Sequence, residues 1–223
     1  MKLALAQINT VLGAPKKNLE KHLELITEAR KNAADLIIFP ELSLTGYILQ
    51  DLALEVAVEP SPQDPIFGPL FEASENIDIV VSFVEHDKRH HYYIAAAYLS
   101  DGELVHLHRK VYLPTYGLFD EARFFAHGSK IRAFDTRHGR FGILICEDFW
   151  HASPPYLMWL DGAELLILVS ASPGRGIGTE PRLESARWVE HINRAYASLF
   201  SYFIASTNRV GYEDGINYYG GAT

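Results

Sequence analysis

Apolar positions recur along this chain at two spacings, and the change from one to the other sets out the elements. Residues 2–8, 35–40, 79–85, 92–99, 103–108, 130–134, 140–146, 164–170 and 202–207 read as strands. Each is a short run enriched in β-branched, aliphatic or aromatic side chains, and most are bounded by Gly, Pro, Asp or Asn. Some, such as Phe141-Gly142-Ile143-Leu144-Ile145-Cys146, are apolar at nearly every position, the pattern of a strand covered on both faces. Other segments keep the helical spacing. Leu19, Leu23, Ile26, Ala29 and Ala33 fall on one face with Lys, Glu and Arg opposite, and Val189, Ile192, Tyr196 and Leu199 share a face in a helix opened by Thr179-Glu180-Pro181. Weaker helical segments are expected over 47–58, 67–76 and 154–159.

The middle of the chain has antiparallel character. Strand 79–85 turns through Asp87 and Lys88 into 92–99, Asp101-Gly102 is a hairpin signal before 103–108, and His138-Gly139 joins 130–134 to 140–146. Buried strands alternating with helices, with hairpins between, predict a layered α/β sandwich. Residues 111–128 read as a loop whose aromatics, among them Tyr112, Tyr116 and Phe119, suit the wall of a pocket. Residues 171–178 read as a glycine-bearing loop, and 208–223 as a Gly- and Tyr-rich stretch with no clean period. With no linker and no repeat, the expectation is one domain over residues 1–223.

Composition narrows the function classes. A chain of 223 residues that is 48% hydrophobic has enough apolar surface for a sizeable core. A formal charge of -8 gives no general attraction to nucleic acid or to an anionic membrane. No stretch is long enough to span a bilayer, and the apolar start is too short for a signal peptide. The single cysteine excludes an internal disulfide and fits a reducing, cytoplasmic setting. Ten histidines raise the question of a metal. His106 and His108 share a strand face and His90 adjoins His91, but no third and fourth ligand follow at a usual spacing, so hydrogen-bonded or solvated histidines and no metal are expected.

Three chemically distinct groups stand at predicted strand ends: Glu41 after Phe39-Pro40, Lys110 after strand 103–108, and Cys146 after Ile145. Singly, each has an ordinary reading: a loop carboxylate, a solvated lysine, a small core hydrophobe. Together, if the strands pack so that their ends converge, they suffice for acyl transfer. A free thiol, with a pKa of about 8.5, needs a base or a nearby cation; Glu41 takes the proton and Lys110 stabilises the anion.

Pro40-Glu41-Leu42-Ser43-Leu44-Thr45-Gly46-Tyr47, His108-Arg109-Lys110-Val111-Tyr112-Leu113-Pro114 and Ile145-Cys146-Glu147-Asp148 resemble, in the same order, the three signature blocks of the nitrilase or carbon-nitrogen hydrolase superfamily. Within it, the stretch from Tyr112 to Phe125, with Glu121 at its centre, and the Cys146-to-Trp150 stretch are most similar to the glutaminase domains of glutamine-dependent NAD synthetases. The resemblance implies a four-layer αββα sandwich, homo-oligomers packed sandwich on sandwich, and no metal or organic cofactor. It implies that Cys146 is the nucleophile, Glu41 the general base and later acid, Lys110 the cation beside the oxyanion, and Glu121 a second carboxylate that orders the site. The backbone N–H of Glu147 would be the other oxyanion donor. The implied activity is hydrolysis of a small carboxamide through a thioester, glutaminase-like and releasing ammonia. For glutamine, Glu147 would take the ammonium and Arg175 the α-carboxylate, with Tyr116, Trp150 and Ser172 completing the pocket.

The substrate stays open between glutamine and the simpler or longer amides and N-carbamoyl compounds hydrolysed by ω-amidases, aliphatic amidases and N-carbamoyl hydrolases of the same superfamily. The resemblance also implies an ammonia-accepting synthetase, and this chain carries no phosphate-cradling motif of its own. Residues 218–223 resemble the start of a Gly-Gly-Ser segment after which the family has further strands and a tail, so the chain is expected to lack those. A catalytically silent binding module on the same fold is the reading from another class. A papain-like protease is disfavoured because no histidine stands in a cysteine-protease context.

Overall fold

A computed structural model describes residues 1–176 and 182–223; the helix opening expected at Thr179, Glu180 and Pro181 lies outside the described residues. In chain order the elements are β1 (Leu3–Leu5), α1 (Pro15–Lys31), β2 (Leu36–Ile38), α2 (Ala53–Val56), α3 (Gly68–Ser74), β3 (Asp78–His86), β4 (Tyr92–Ser100), β5 (Glu103–Arg109), β6 (Phe134–Thr136), β7 (Gly139–Ile145), α4 (Ser153–Leu160), β8 (Leu165–Ser170), α5 (Glu184–Phe200), β9 (Phe203–Asn208), β10 (Val210–Glu213) and β11 (Ile216–Tyr219).

Strands β1 to β5 form one sheet in chain order and β6 to β9 a second, with β10 and β11 as a separate hairpin. The first sheet runs parallel from β1 to β3 and antiparallel from β3 to β5. In the second, β6 lies antiparallel on a parallel β7-β8-β9 core. Successive side chains of a strand point to opposite faces, so a strand apolar at every position needs cover on both sides. Along β3, Val80 and Val84 belong with Ile143 and Ile145 of β7 to the core between the sheets, while Ile79, Val81 and Phe83 share a second core with Ile26 of α1 and with Leu70 and Phe71 of α3. On the far side Leu144, Leu166 and Leu168 pack under α4 and α5 through Met158, Ile192 and Tyr196. The layers are helix, sheet, sheet, helix: the αββα sandwich. Gly142 sets the spacing of the last two layers. A Cβ there would come within 2.7 Å of Met158 Sδ, and overpacking of that kind costs about 1–3 kcal/mol.

Several local expectations need correction. Residues 130–133 are not strand; β6 starts at Phe134, where backbone pairing to Phe141 begins. Ile131 has the apolar pattern because it packs against the α4–α5 core, not because it pairs. Ala33 lies beyond the end of α1 and is exposed, and Leu199 is 71% exposed while Phe200 takes the inward position. Residues 208–223, read as aperiodic, form the β10–β11 hairpin. Its turn is Asp214-Gly215, both at positive φ, the same device as Asp101-Gly102. Among the described residues no helix is long and apolar enough to cross a membrane.

Candidate active site

Four elements end at one place. β2 leads through Phe39 and Pro40 to Glu41, β5 ends next to Lys110, β7 delivers Cys146, and β8 delivers Ala171 and Ser172. Crevices beyond the carboxyl ends of parallel strands are where side chains of different segments meet over a ligand.

Glu41, Lys110 and Glu121 form a buried ion cluster. Lys110 Nζ donates to Glu41 Oε1 and to Glu121 Oε1, each at 2.7 Å, and neither Lys110 nor Glu41 has measurable exposure. Glu41 Oε2 accepts the Ala171 N–H at 2.8 Å, which ties the end of β8 to the end of β2. Tyr47 donates its hydroxyl to Glu121 Oε1, while Glu121 Oε2 has no partner among the described residues. The Glu41 loop is clamped from beneath. Leu42, at φ 49°, donates its N–H to Ser82 Oγ at 3.0 Å, and Ser43 Oγ lies 3.0 Å from His22 Nε2. Burial lowers the pKa of His22 to about 4, so it serves as a neutral hydrogen-bonding group.

Cys146 does not end the strand as expected. It sits one residue beyond β7, at φ 43°, opening a 3₁₀ turn over Cys146–Trp150. A non-glycine residue at positive φ is strained, and here the surroundings hold it. Asp148 does much of that holding. One oxygen accepts the N–H groups of Val111 and Tyr112, both at 2.9 Å; the other accepts the Ile145 N–H at 3.2 Å and meets buried His108 Nε2 at 2.8 Å. One carboxylate therefore locks the Cys146 turn to the segment after Lys110. Asp148 and His108 were inside the motifs quoted above, yet spacing alone did not reveal the pair.

The electrostatics revise one expectation. Burial alone would lower the Lys110 pKa, but the Glu121 and Glu41 carboxylates outweigh it and hold the ammonium above its ordinary range. Burial pushes the Glu121 carboxyl up to about 7, against Lys110 and with the help of Glu41. Burial first, and Glu41 second, push the Cys146 thiol up as well, and Lys110 pulls the other way without prevailing. Lys110 therefore does not maintain a resting thiolate, because its charge is already shared between two carboxylates.

Cys146 opens onto a cavity of about 440 Å³ whose lining includes Tyr116, Glu147, Trp150, Ser172, Arg175 and Trp188 of α5. Every residue expected in the pocket is therefore brought to it. Tyr116 donates its hydroxyl to Glu147 Oε2 at 2.9 Å, and His151 approaches Glu147 Oε1 at 3.5 Å. Burial and the Glu147 carboxylate push the Tyr116 phenol up to about 12. Arg175 stacks over Phe119 at 5.0 Å, and Ser172 Oγ lies 3.8 Å from Cys146 Sγ. Asn208, which the sequence did not single out, exchanges hydrogen bonds with the Ser172 backbone at 2.7 and 3.2 Å and so braces that wall. The arrangement has a thiol, a buried carboxylate and an ammonium that uses two of its three donors among the described residues. Among the described residues no group of three or more His, Cys, Asp and Glu side chains is placed to hold a metal ion.

Residues 2–223 match the carbon-nitrogen hydrolase family. The chain is 37% identical over 172 residues to the glutamine-dependent NAD(+) synthetase of Acinetobacter baylyi, covering 77% of this chain and 31% of that protein. To the Thermotoga maritima enzyme of the same description it is 31% identical over 204 residues, covering 89% and 35%. The chain thus spans about a third of the length of these curated relatives. Among solved structures, glutamine-dependent NAD+ synthetase from Acinetobacter baumannii superposes with a TM-score of 0.85 at 30% identity, over 99% of this chain and 40% of that one. A carbon-nitrogen hydrolase from Helicobacter pylori G27 gives 0.86 at 22% identity over 100% and 80%, a likeness of fold alone. With the family match running from residue 2 to residue 223 and these identities beside it, the chain belongs to the carbon-nitrogen hydrolase family.

Proposed function

We propose that this chain is a thiol hydrolase that cleaves the C–N bond of a small carboxamide and releases ammonia, with glutamine as substrate. The observation that carries the reading is the buried Glu41–Lys110–Glu121 cluster, whose charges act on the thiol of Cys146, a residue that itself lines the cavity. In the proposed reaction Cys146 Sγ attacks the amide carbon as its proton passes to Glu41. Because the resting thiol is held protonated, transfer and attack are coupled, which is the work of a general base. The oxyanion takes the third donor of Lys110 and the Glu147 N–H. The C–N bond breaks as Glu41 returns the proton to nitrogen, ammonia leaves, and a thioester remains. Water, deprotonated by Glu41, attacks the thioester; the acid departs and the thiol regains its proton.

For glutamine, Glu147 receives the ammonium and Arg175 the α-carboxylate, with Tyr116, Trp150 and Ser172 around the chain. The likeness to glutamine-dependent NAD synthetases supports this choice and suggests a synthetase domain or partner that consumes the ammonia. We further propose a cytoplasmic homo-oligomer in which residues 1–223 act as one catalytic unit. Ammonia release from glutamine, asparagine, short aliphatic amides, N-carbamoyl compounds and nitriles tests the assignment. Turnover of glutamine above the others is expected. An inert glutamine beside an active short amide would replace the substrate and keep the chemistry; no release from any of them would favour a silent binding module.

A further inference from the structure

Behind the Lys110 cluster lies a second set of buried charges that the proposed reaction does not touch. Arg209 is fully buried; its Nη2 donates to Glu213 Oε2 at 2.8 Å, its Nε and Nη1 have no partner among the described residues, and its guanidinium lies 4.4 Å from the centre of the Tyr218 ring. Glu213 turns its other oxygen away from Arg209. Oε1 accepts the N–H groups of both Tyr47 and Ile48, each at 2.7 Å. Gly46 admits the carboxylate: at φ +85° it has no Cβ, and one there would stand 3.0 Å from Glu213 Oε2 and 2.8 Å from Leu12 Cα. Tyr47 then carries the link inward, because its hydroxyl donates to Glu121 Oε1, the oxygen that also accepts Lys110 Nζ. The Tyr218 ring meets the Tyr47 ring edge-on at 6.3 Å.

We propose that Glu213, held by Arg209, is a positioning residue for Glu121 and Lys110, acting through the backbone and the hydroxyl of Tyr47; this rests on the amide hydrolysis proposed above. Two physical points favour placement over stability. A buried ion pair does no better for stability than apolar side chains of equal volume, so an arginine kept with two unpartnered donors is a poor stabiliser. Among the described residues Glu121 makes its side-chain hydrogen bonds through one oxygen, so its location follows Tyr47 and Lys110 closely. A misplacement of about 1 Å at a reacting group costs about 10²-fold in rate.

The test compares two double variants that both remove the buried charges. Arg209→Met with Glu213→Leu removes the acceptor for the Tyr47 and Ile48 N–H groups, whereas Arg209→Met with Glu213→Gln keeps a carbonyl oxygen there. With ammonia release as readout, the leucine variant is expected to lose about 10²-fold in kcat at unchanged KM, and the glutamine variant to keep most of its kcat. Equal kcat in the two would overturn the proposal, since a merely structural pair would not separate them. Tyr47→Phe provides the second arm: a fall in kcat at unchanged KM is expected, with little further loss when it is added to the leucine variant. A wild-type kcat in Tyr47→Phe, or full additivity with the leucine variant, overturns the route through Tyr47. If the leucine variant does not fold, Tyr47→Phe and the glutamine variant decide by the same criteria. A wild-type protein that hydrolyses no amide would count against the proposed function alone. The rate of Cys146 alkylation by iodoacetamide would then be read across the same variants in the same expected order, and equal rates throughout would overturn the inference.

Discussion

The two walls of the site are built on opposite principles. The inner wall, Glu41, Lys110 and Glu121, is almost wholly buried and holds three ionisable groups joined by bonds of 2.7 Å, and its supports come from β3, the residue after β8 and the β10–β11 hairpin. The outer wall is half open: Tyr116 is 55% exposed and Trp188 54%, and the Arg175 guanidinium lies over the face of Phe119. Charge in a buried, pre-positioned cluster reorganises little during a reaction, and that suits chemistry. Side chains on exposed loops are exchangeable without disturbing the core, and that suits the choice of substrate. The difference implies that changes in the inner wall abolish turnover or stability, and that changes in the outer wall alter which amide is taken.

Cys146→Ala breaks the comparison at its centre and has the largest expected effect. Turnover of every amide should vanish while the melting temperature stays near wild type, because a small, nearly buried side chain loses only one atom; undiminished ammonia release would sink the thioester route. Lys110→Met should lower both activity and stability, the latter by about 3–5 kcal/mol in denaturant titration, because it leaves two buried carboxylates without their cation. A stability loss no larger than that of a surface lysine variant would show that the inner wall is not the ion cluster described. On the outer wall, Glu147→Gln should raise KM for glutamine by about 10- to 100-fold, the worth of one charge-assisted hydrogen bond, and leave kcat/KM for a short aliphatic amide unchanged. A parallel loss on both substrates would place Glu147 in the chemistry rather than in selection.

The smallest effect is a slope. The folded state holds the Glu121 proton up to about 7, beyond the ordinary carboxyl value of 4.5, so between those values the folded chain keeps a proton that the unfolded chain has released. Stability from this group is present at the acid end and declines as pH rises through that window. Glu121→Gln should flatten that part of the stability–pH curve, and an unchanged slope by thermal melts across the window would mean that the proton resides elsewhere in the cluster.

Legibility in the sequence followed the range of the interaction. β3, β4, β5, β7 and β8 were placed within a few residues because strand pattern and burial are local signals, and so was the amphipathic α1. Glu41, Lys110 and Cys146 stood out because each stands at the end of a strand-like run, and the structure brings all three with Glu121 to one place. The β10–β11 hairpin was missed although Asp214-Gly215 repeats the turn signal used at Asp101-Gly102; Gly and Tyr at irregular intervals hid the pairing. Asp148, Asn208 and Glu213 were missed for a different reason. A polar residue that braces a turn has no period, and its role depends on what stands opposite.

By itself the sequence determined a layered α/β arrangement, through strands apolar on both faces, and singled out the three groups that follow predicted strands, while the four-layer order came from the family resemblance. Only the tertiary structure decided what holds those groups and in which direction burial and neighbouring charges shift Lys110 and Cys146. Lys110 meets Glu41 across 69 residues and Tyr47 meets Glu213 across 166, and the desolvation that pushes up the Cys146 thiol exists only once both sheets have closed around it. Periodicity is written in neighbouring residues, whereas a pKa and a hydrogen-bond partner are properties of whatever the rest of the chain places within a few ångströms.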